Sequence, residues 1–536
     1  MTSRSVSQPQ IPTQPGVFTR ASSGLVRQVR TQDVMFYGWQ QIALGYIIFI
    51  VAAWQFYPGA SMEVGVLLAT AAGILIAICY AFLSVVYPRS GGDYVFMSRI
   101  LHPAAGLVLS MSLIFWQLFY AGINGAFLSK FGLAPMFSTL GIQTGNHSLT
   151  AIGSWFTSPW GLFSGGALVI GVFSIVQYLG VGLYFKAQRW ASYVAIGSLL
   201  VTVVTLILAS TGVLSFQHNF DVVAGHGAYQ GVLHAAASAG VSTHHSFSFS
   251  QSLYFAAWPA FSLWFAVLSV SFGGEVKDGQ RSQFRGMNLA IITMGGFMLL
   301  LMFLYRMAFG SGFILASSQL PTNKFPLNAA PYVNLYTGIA GGNVVLTVVN
   351  SLWVLALLFF VGASSLVAST RNMLAWSLDG VAPKWFSAVS ARRHTPTWSL
   401  VLCAVIATIW ALLYSFTDTV LVLGGFLGQC VPILGVCVAA IVFPFRRRED
   451  FESSPIAYRI GRVPLITVVG VVAAICVGFC FYRLLVDTNY GANNTLSVVM
   501  TLGAAAFAAL WFLVYRLWNK ARGTDLNAQF KEIPIE

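Results

Sequence analysis

Residues 194–208 read VAIGSLLVTVVTLIL, and residues 287–304 read MNLAIITMGGFMLLLMFL. Neither stretch carries a charge. Each approaches the roughly 20 apolar residues that a helix needs to cross the hydrocarbon core of a bilayer. Neither alternates in polarity over about ten residues, as a membrane β-barrel strand would. Buried in lipid, a backbone must satisfy its own hydrogen bonds, so long runs of this kind are helices.

The same pattern fills the chain. Of its 536 residues, 57% are hydrophobic and 8% charged, against about 25% charged in an average soluble domain. So few charges could not coat a soluble surface, which excludes a soluble enzyme, a nucleic-acid binder and a disordered chain. The basic excess of +13 is therefore not a nucleic-acid signal. Apolar runs between polar breaks give twelve spans, at about 38–58, 63–87, 104–130, 160–182, 190–214, 251–274, 287–310, 342–370, 398–416, 419–445, 464–486 and 495–518. With both ends on one side, 24 of the 28 Lys and Arg residues fall there, and only Lys130, Arg306, Lys324 and Arg483 fall opposite. The positive-inside rule then places both termini in the cytoplasm. Residues 1–37 are expected to be a cytoplasmic tail with no cleavable signal, and 519–536 a second tail.

The spans are almost bare of ionisable groups, the usual mark of pumps, relays and voltage sensors. No phosphate-cradling loop follows a strand. The six cysteines lie in apolar runs without metal-ligand spacing, which reads as packing. No cofactor and no metal is expected. A secondary transporter fits this chain better than a membrane enzyme.

Three polar stretches between spans carry a pattern. They are Tyr87-Pro88-Arg89-Ser90-Gly91-Gly92-Asp93-Tyr94, then Gly274-Glu275-Val276-Lys277-Asp278-Gly279-Gln280-Arg281, and then Ser369-Thr370-Arg371 followed by Asp379-Gly380-Val381-Ala382-Pro383 and Thr395-Pro396. Physically, Gly91-Gly92 suits a tight turn. Glu275 is placed to pair with Lys277 and Arg281, and Arg371 with Asp379 to close an inner gate. The plain alternative is ordinary turns and caps. In order, spacing and sidedness the three stretches resemble the amino acid–polyamine–organocation permease superfamily, over about residues 38–518.

The resemblance implies an all-α, 5+5 inverted repeat of the leucine-transporter kind. Repeat one would be 38–214 and repeat two 251–445. A loop at 215–250 would join them, and 446–518 would hold a cytoplasmic loop and two appended spans. It also implies that the first helix of each repeat is broken near the midplane, where helix ends and bare backbone bind a substrate. Anchoring on Tyr57-Pro58-Gly59 puts the first break at Val51-Ala52-Ala53, without the family's glycines. Counting back from Glu275, the second site falls around Phe261 and Phe265, beside Trp258-Pro259. The implied substrate lining is Ala52, Ala53, Gln55, Tyr120, Asn124, Phe261, Trp264 and Phe265, with Phe261 as lid. Ser364 and Ser365 are the candidates for an ion site, though small hydroxyls in spans more often serve packing. Gly91, Gly92, Glu275, Lys277, Arg371 and Asp379 would form the cytoplasmic gate and scaffold.

The function so implied is transport of an amino acid or related amine by alternating access across the cell membrane, with lipids as neighbours and no nucleic-acid partner. Proton coupling, sodium coupling and exchange stay open. A polyamine carrier is the alternative, opposed by the lack of carboxylates in the spans. A non-transporting sensor or partner subunit is the other. The 215–250 loop holds His218, His226, His234, His244 and His245. It reads as a solvated loop, or as a pH sensor or weak metal-capturing segment.

Overall fold

The computed structural model describes residues 25–530 except 26, 322, 323, 328, 391, 418–421, 524, 525 and 527–529. Most of the expected N-terminal tail and the end of the C-terminal tail thus lie outside the described residues. The chain is an all-α polytopic membrane protein. Twelve helices are long and apolar enough to span: Thr31–Phe56, Met62–Val86, Pro103–Thr144, Pro159–Leu179, Val181–Ser210, Phe249–Ser271, Arg281–Phe309, Val344–Leu378, Thr397–Phe416, Gly424–Arg446, Leu465–Val486 and Thr495–Ala521. They are spans 1 to 12 below. Among the described residues, strand is limited to a two-residue hairpin, Arg459–Ile460 with Val463–Pro464, and three isolated bridges.

Local sequence sets the ends. Ser61, Ser158, Asn343 and Asn494 each accept a backbone N–H with their side chains at a helix start, which satisfies a donor left over in the first turn. Span 1 starts at Thr31 rather than 38. Its first turn is polar but folded, with Asp33 accepting the Arg30 N–H at 3.0 Å. Hydropathy sees only the apolar part of a helix, so it set this boundary late.

Packing repeats with an offset of five. Span 1 lies on span 6, span 2 on span 7, span 3 on span 8, and span 4 on span 9. Span 3 also packs on spans 9 and 10, as span 8 packs on spans 4 and 5. That is the arrangement of two equivalent halves related by a pseudo-twofold axis. Spans 11 and 12 attach outside, on spans 10, 2 and 3. Spans 1, 3 and 6 are buried over most of their length, whereas spans 4, 5, 9, 11 and 12 bury less than half of theirs. The apolar exposed faces are the lipid-facing surface; the molecule's centre is spans 1, 3, 6 and 8.

The connection at 215–250 is not one loop. It contains helices Phe216–Ala224 and Ala228–Ser238, and these pack on two further helices, Ser311–Gln319 and Val333–Gly341, that lie between spans 7 and 8. Phe216, Phe220, Phe313 and Tyr336 fill the shared core. Each helix is too short to register as a span. All five histidines of the segment are exposed.

Candidate substrate site

Span 1 leaves α-helical geometry at Ala43, whose φ of 45° is left-handed. A 3-10 turn, Leu44–Tyr46, follows, and the α-helix resumes over Ile47–Ala52. A left-handed alanine costs roughly 1–2 kcal/mol. The surrounding contacts hold it: the Ala43 N–H still donates to Trp39 at 3.0 Å, and Tyr46 N–H donates to Ala43 O at 2.8 Å. The Ile42 carbonyl accepts the Ser262 hydroxyl of span 6. Gly45 lets span 8 approach, since a Cβ there would stand 3.0 Å from Leu358 Cγ.

Span 6 breaks differently. Its α-helix ends at Leu263, and Trp264–Ser271 forms a 3-10 helix. Such a long 3-10 run inside a span marks a strained or hinge-like stretch. Gln283 of span 7 clamps it, accepting from Ser269 Oγ at 3.0 Å and donating to Ser269 O at 3.1 Å. Gly91 N–H satisfies the Ser271 carbonyl at 2.8 Å. Span 3 carries a third irregularity, a π segment at Leu128–Leu133, whose Phe131 carbonyl accepts from Asn334 at 2.7 Å.

Between the two breaks lies a cavity of about 10 Å³, lined by Gln41, Tyr46, Gln117, Tyr120, Asn124, Phe261, Phe265, Val361 and Ser365. All nine are buried. The space suits about one water molecule, so the structure is closed around its centre. Tyr46 donates to Asn124 Oδ1, and its ring stacks on Phe261 at 5.2 Å. Gln41 donates to the Tyr37 hydroxyl at 3.1 Å, and Tyr37 donates to the Ser364 carbonyl at 2.7 Å. Asn124 Nδ2 and Gln117 Oε1 are buried without a hydrogen bond. A buried amide without a partner costs on the order of 1–3 kcal/mol, which a polar guest would relieve. One is a donor and one an acceptor, so together they suit a guest with both functions.

Of the residues expected to line the substrate, the structure brings Tyr120, Asn124, Phe261 and Phe265 together, and Ser365, one of the two expected ion-site residues, joins them. The others go elsewhere. The span-1 break lies at Ala43–Tyr46, not at Val51–Ala53, because Tyr57-Pro58-Gly59 belongs to the turn into span 2 and was the wrong anchor. Ala52 ends the resumed helix, Ala53 opens a short 3-10 turn, Ala53–Phe56, and Gln55 in that turn donates to Ala52 O at 3.0 Å beside a separate cleft. Trp264 turns toward span 2 and donates to Ala69 O at 3.0 Å. Ser364 Oγ bonds to Val361 O at 2.8 Å within its own helix. Gln41, Tyr46 and Gln117 were missed. The signal for the two span-1 residues lies in Ala43-Leu44-Gly45-Tyr46, a small-x-Gly pattern before an aromatic, and that for Gln117 is an amide in the mostly apolar span 3.

The face from which span 1 starts is closed by buried charge. Arg371 donates to Glu275 at 2.8 Å, and Arg99 forms a two-pronged pair with Asp379 at 2.5 and 2.8 Å. The expected pairing of Arg371 with Asp379, and of Glu275 with Lys277 and Arg281, is thereby corrected: Asp379 pairs with Arg99 of the short helix Gly92–Ile100, and Glu275 with Arg371 of span 8. Lys277 is exposed, and its backbone N–H instead donates to Val29 O at 2.8 Å. Gln28 and Val29 donate to the Glu275 carbonyl, so the stretch before span 1 is laced to the end of span 6. Gly91 adopts φ 71° against span 8, where a Cβ would come within 2.5 Å of Ala375; only glycine serves there. Gly92 abuts the Val270 carbonyl of the 3-10 run. The opposite face is closed by rings: Tyr57 accepts from Trp258 at 3.3 Å, Trp258 meets Phe49 at 6.4 Å, and Phe49 meets Phe261 at 6.0 Å.

A sequence model described as amino acid permease matches residues 34–507. No curated protein matches the chain.

Proposed function

The chain belongs to the amino acid permease family, a family of transporters rather than enzymes, and on that premise we propose that it carries a neutral amino acid by secondary active, alternating-access transport. The observation that carries this reading is the closed cavity where spans 1 and 6 both leave α geometry, with an open amide donor at Asn124 and an open acceptor at Gln117. A zwitterion offers the matching acceptor and donor. Freed backbone at the two breaks supplies further polar partners. Tyr46, Tyr120, Phe261 and Phe265 would cover the side chain. No carboxylate lines the cavity, which disfavours a polyamine, whose charges need anionic partners. The distribution of Lys and Arg puts the span-1 start, with its buried ion pairs, in the cytoplasm, and the ring-closed face outside. The plasma membrane is the proposed location.

Because the cavity has room for about one water, loading requires the spans to separate. The two faces would open alternately about the hinges at Ala43 and Trp264–Ser271. Thermal stabilisation of the purified chain against the twenty amino acids tests the reading. A shift with a few chemically related neutral amino acids is expected, since a ligand that binds only the folded state raises its stability. No shift with any of them would sink the reading. Uptake into liposomes under imposed proton or sodium gradients then identifies the coupling ion.

A further inference from the structure

A second polar space lies on the outer face. It is a cleft of about 450 Å³ whose walls include Gln55, Tyr57, Glu63, His244, His245 and Arg306, a volume in the range of small-molecule sites. The segment that carries the two histidines is seated on the turn between spans 1 and 2, where Ser248 N–H donates to Gly59 O at 2.8 Å and Ser61 N–H donates to Ser252 Oγ at 2.9 Å. The cleft is therefore a built feature of the fold.

Its charges are one of each sign. Glu63 and Arg306 stand 3.0 Å apart, with their side chains 17% and 39% exposed. Glu63 Oε2 is occupied by the Ser61 hydroxyl at 2.7 Å. The contacting atoms, Glu63 Oε1 and Arg306 Nε, are sheltered from solvent, yet neither is in a hydrogen bond. The pair is in Coulomb contact but poorly aligned. A ligand carrying both an ammonium and a carboxylate would exchange this one contact for two charge-assisted hydrogen bonds. A simple cation or anion would gain one and be repelled by the other. The cleft also leads inward. Its wall residue Tyr57 accepts from Trp258, the first ring of the layer that ends at Phe261 above the central cavity.

We propose that this cleft is a loading site for a zwitterionic amino acid, with Arg306 taking the carboxylate and Glu63 the ammonium before the ring layer opens. The proposal rests on the transport reading above for its ligand, but on separate residues. Equilibrium dialysis of the full-length protein against a ¹⁴C-labelled mixture of L-amino acids tests it. The wild type is expected to bind two equivalents of label per chain at saturation. Arg306→Gln and Glu63→Gln are each expected to bind one, while Arg306→Lys keeps both. Asn124→Leu, in the central cavity, also falls to one, and adding Arg306→Gln to it brings binding to none.

One equivalent in the wild type, unchanged by Arg306→Gln, overturns the loading site and leaves the central site standing. No binding in the wild type removes the transport reading and this proposal with it. If Arg306→Gln does not fold, Glu63→Gln carries the same test from the opposite charge. In liposomes, Glu63→Gln should raise KM several-fold for amino acids presented at the outer face and leave KM from the inner face unchanged. An equal change at both faces would mean a structural role and count against the proposal.

Discussion

The two faces of the molecule are shut by different physics. On the face from which span 1 starts, proposed above to be the inner one, Arg371–Glu275 and Arg99–Asp379 are almost completely buried, with side-chain exposures of 2% or less. On the outer face Glu63–Arg306 and Arg483–Asp487 are partly wet, at 10–39%, and the closure itself is a layer of rings. Burying charges costs several kcal/mol per ion, and their attraction offsets this only while both partners and their hydrogen bonds stay in place. Ring contacts contribute on the order of 0.5–1.5 kcal/mol each and can be lost one at a time. The inner face should therefore open in one step and the outer face gradually.

The largest effect should come from splitting an inner pair. Glu275→Gln leaves the Arg371 guanidinium buried without its anion, at a cost of about 3–5 kcal/mol to the inner-closed state. The inner face should then open in most molecules. A cysteine introduced by Ser365→Cys, in the central cavity, should become reactive to an impermeant thiol reagent from the cytoplasmic side. Replacing both partners by apolar residues, Glu275→Leu with Arg371→Met, should restore much of the closure, because no charge is stranded. Unchanged labelling in Glu275→Gln would show that the buried pair does not hold this face.

Asp93 sharpens the contrast from the same face. It lies in the first turn of the helix Gly92–Ile100, fully buried, and forms no ion pair among the described residues. Burial pushes its carboxyl up to about 7, opposed by the Asn372 amide and backbone N–H groups. A carboxyl whose folded pKa lies above its unfolded value stabilises less as pH rises. Its contribution is at its best below pH 4 and declines up to about pH 7. The loss across that window is on the order of 3–4 kcal/mol. Asp93→Asn should flatten the dependence of melting temperature on pH between 4 and 7 and raise stability at pH 8. A wild-type profile flat over that window would remove Asp93 from the account.

Ala43 is the hinge proposed for both faces, and here the expected effect is smaller. Ala43→Gly removes the left-handed penalty and should stabilise by up to about 1 kcal/mol, offset in part by a looser unfolded chain. Ala43→Val should cost more than 1 kcal/mol, since a β-branched residue is an outlier at φ 45°. The melting temperatures of the two variants, bracketing the wild type, are the check. The opposite order would mean that the left-handed hinge is not held in solution.

The architecture was legible because it depends on sums. Hydropathy averaged over twenty residues is insensitive to any one of them, so all twelve spans follow from pattern, while the pairing of spans five apart comes only with the family resemblance. The site depends on register, and a register needs an anchor. Tyr57-Pro58 looked like the aromatic-proline after a break and displaced the span-1 break by about two turns, putting the lining on Ala52, Ala53 and Gln55. In span 3 the family positions pointed to Tyr120 and Asn124, and Asn124 had a second signal of its own, an amide in an apolar helix that wants a partner. The span-6 break has no sequence signature at all. Trp264–Ser271 tightens to 3-10 geometry because Gln283 clamps Ser269 and Gly91 caps Ser271, contacts made by other parts of the chain. The ion pairs failed for the same reason. Sequence proximity favours neighbouring partners, whereas the fold supplies Arg99 from the short helix Gly92–Ile100 and Arg371 from span 8.

The smallest effect belongs to the outer face, and its size matters most for telling the faces apart. Glu63→Gln leaves Arg306 charged, but that guanidinium is 39% exposed and can be solvated where it stands. Exposed or half-exposed pairs contribute about 0–1 kcal/mol, less in high salt. The melting temperature should therefore move by no more than a few degrees, and by less still in 1 M salt. Glu275→Gln, a substitution of the same kind on the inner face, should be costlier and hardly respond to salt, because its pair lies out of reach of mobile ions. If Glu63→Gln proved as damaging as Glu275→Gln, the outer pair would be part of the closure. Half-exposed charge and rings would then hold that face jointly, and a substrate that parts Glu63 from Arg306 would itself begin to open it.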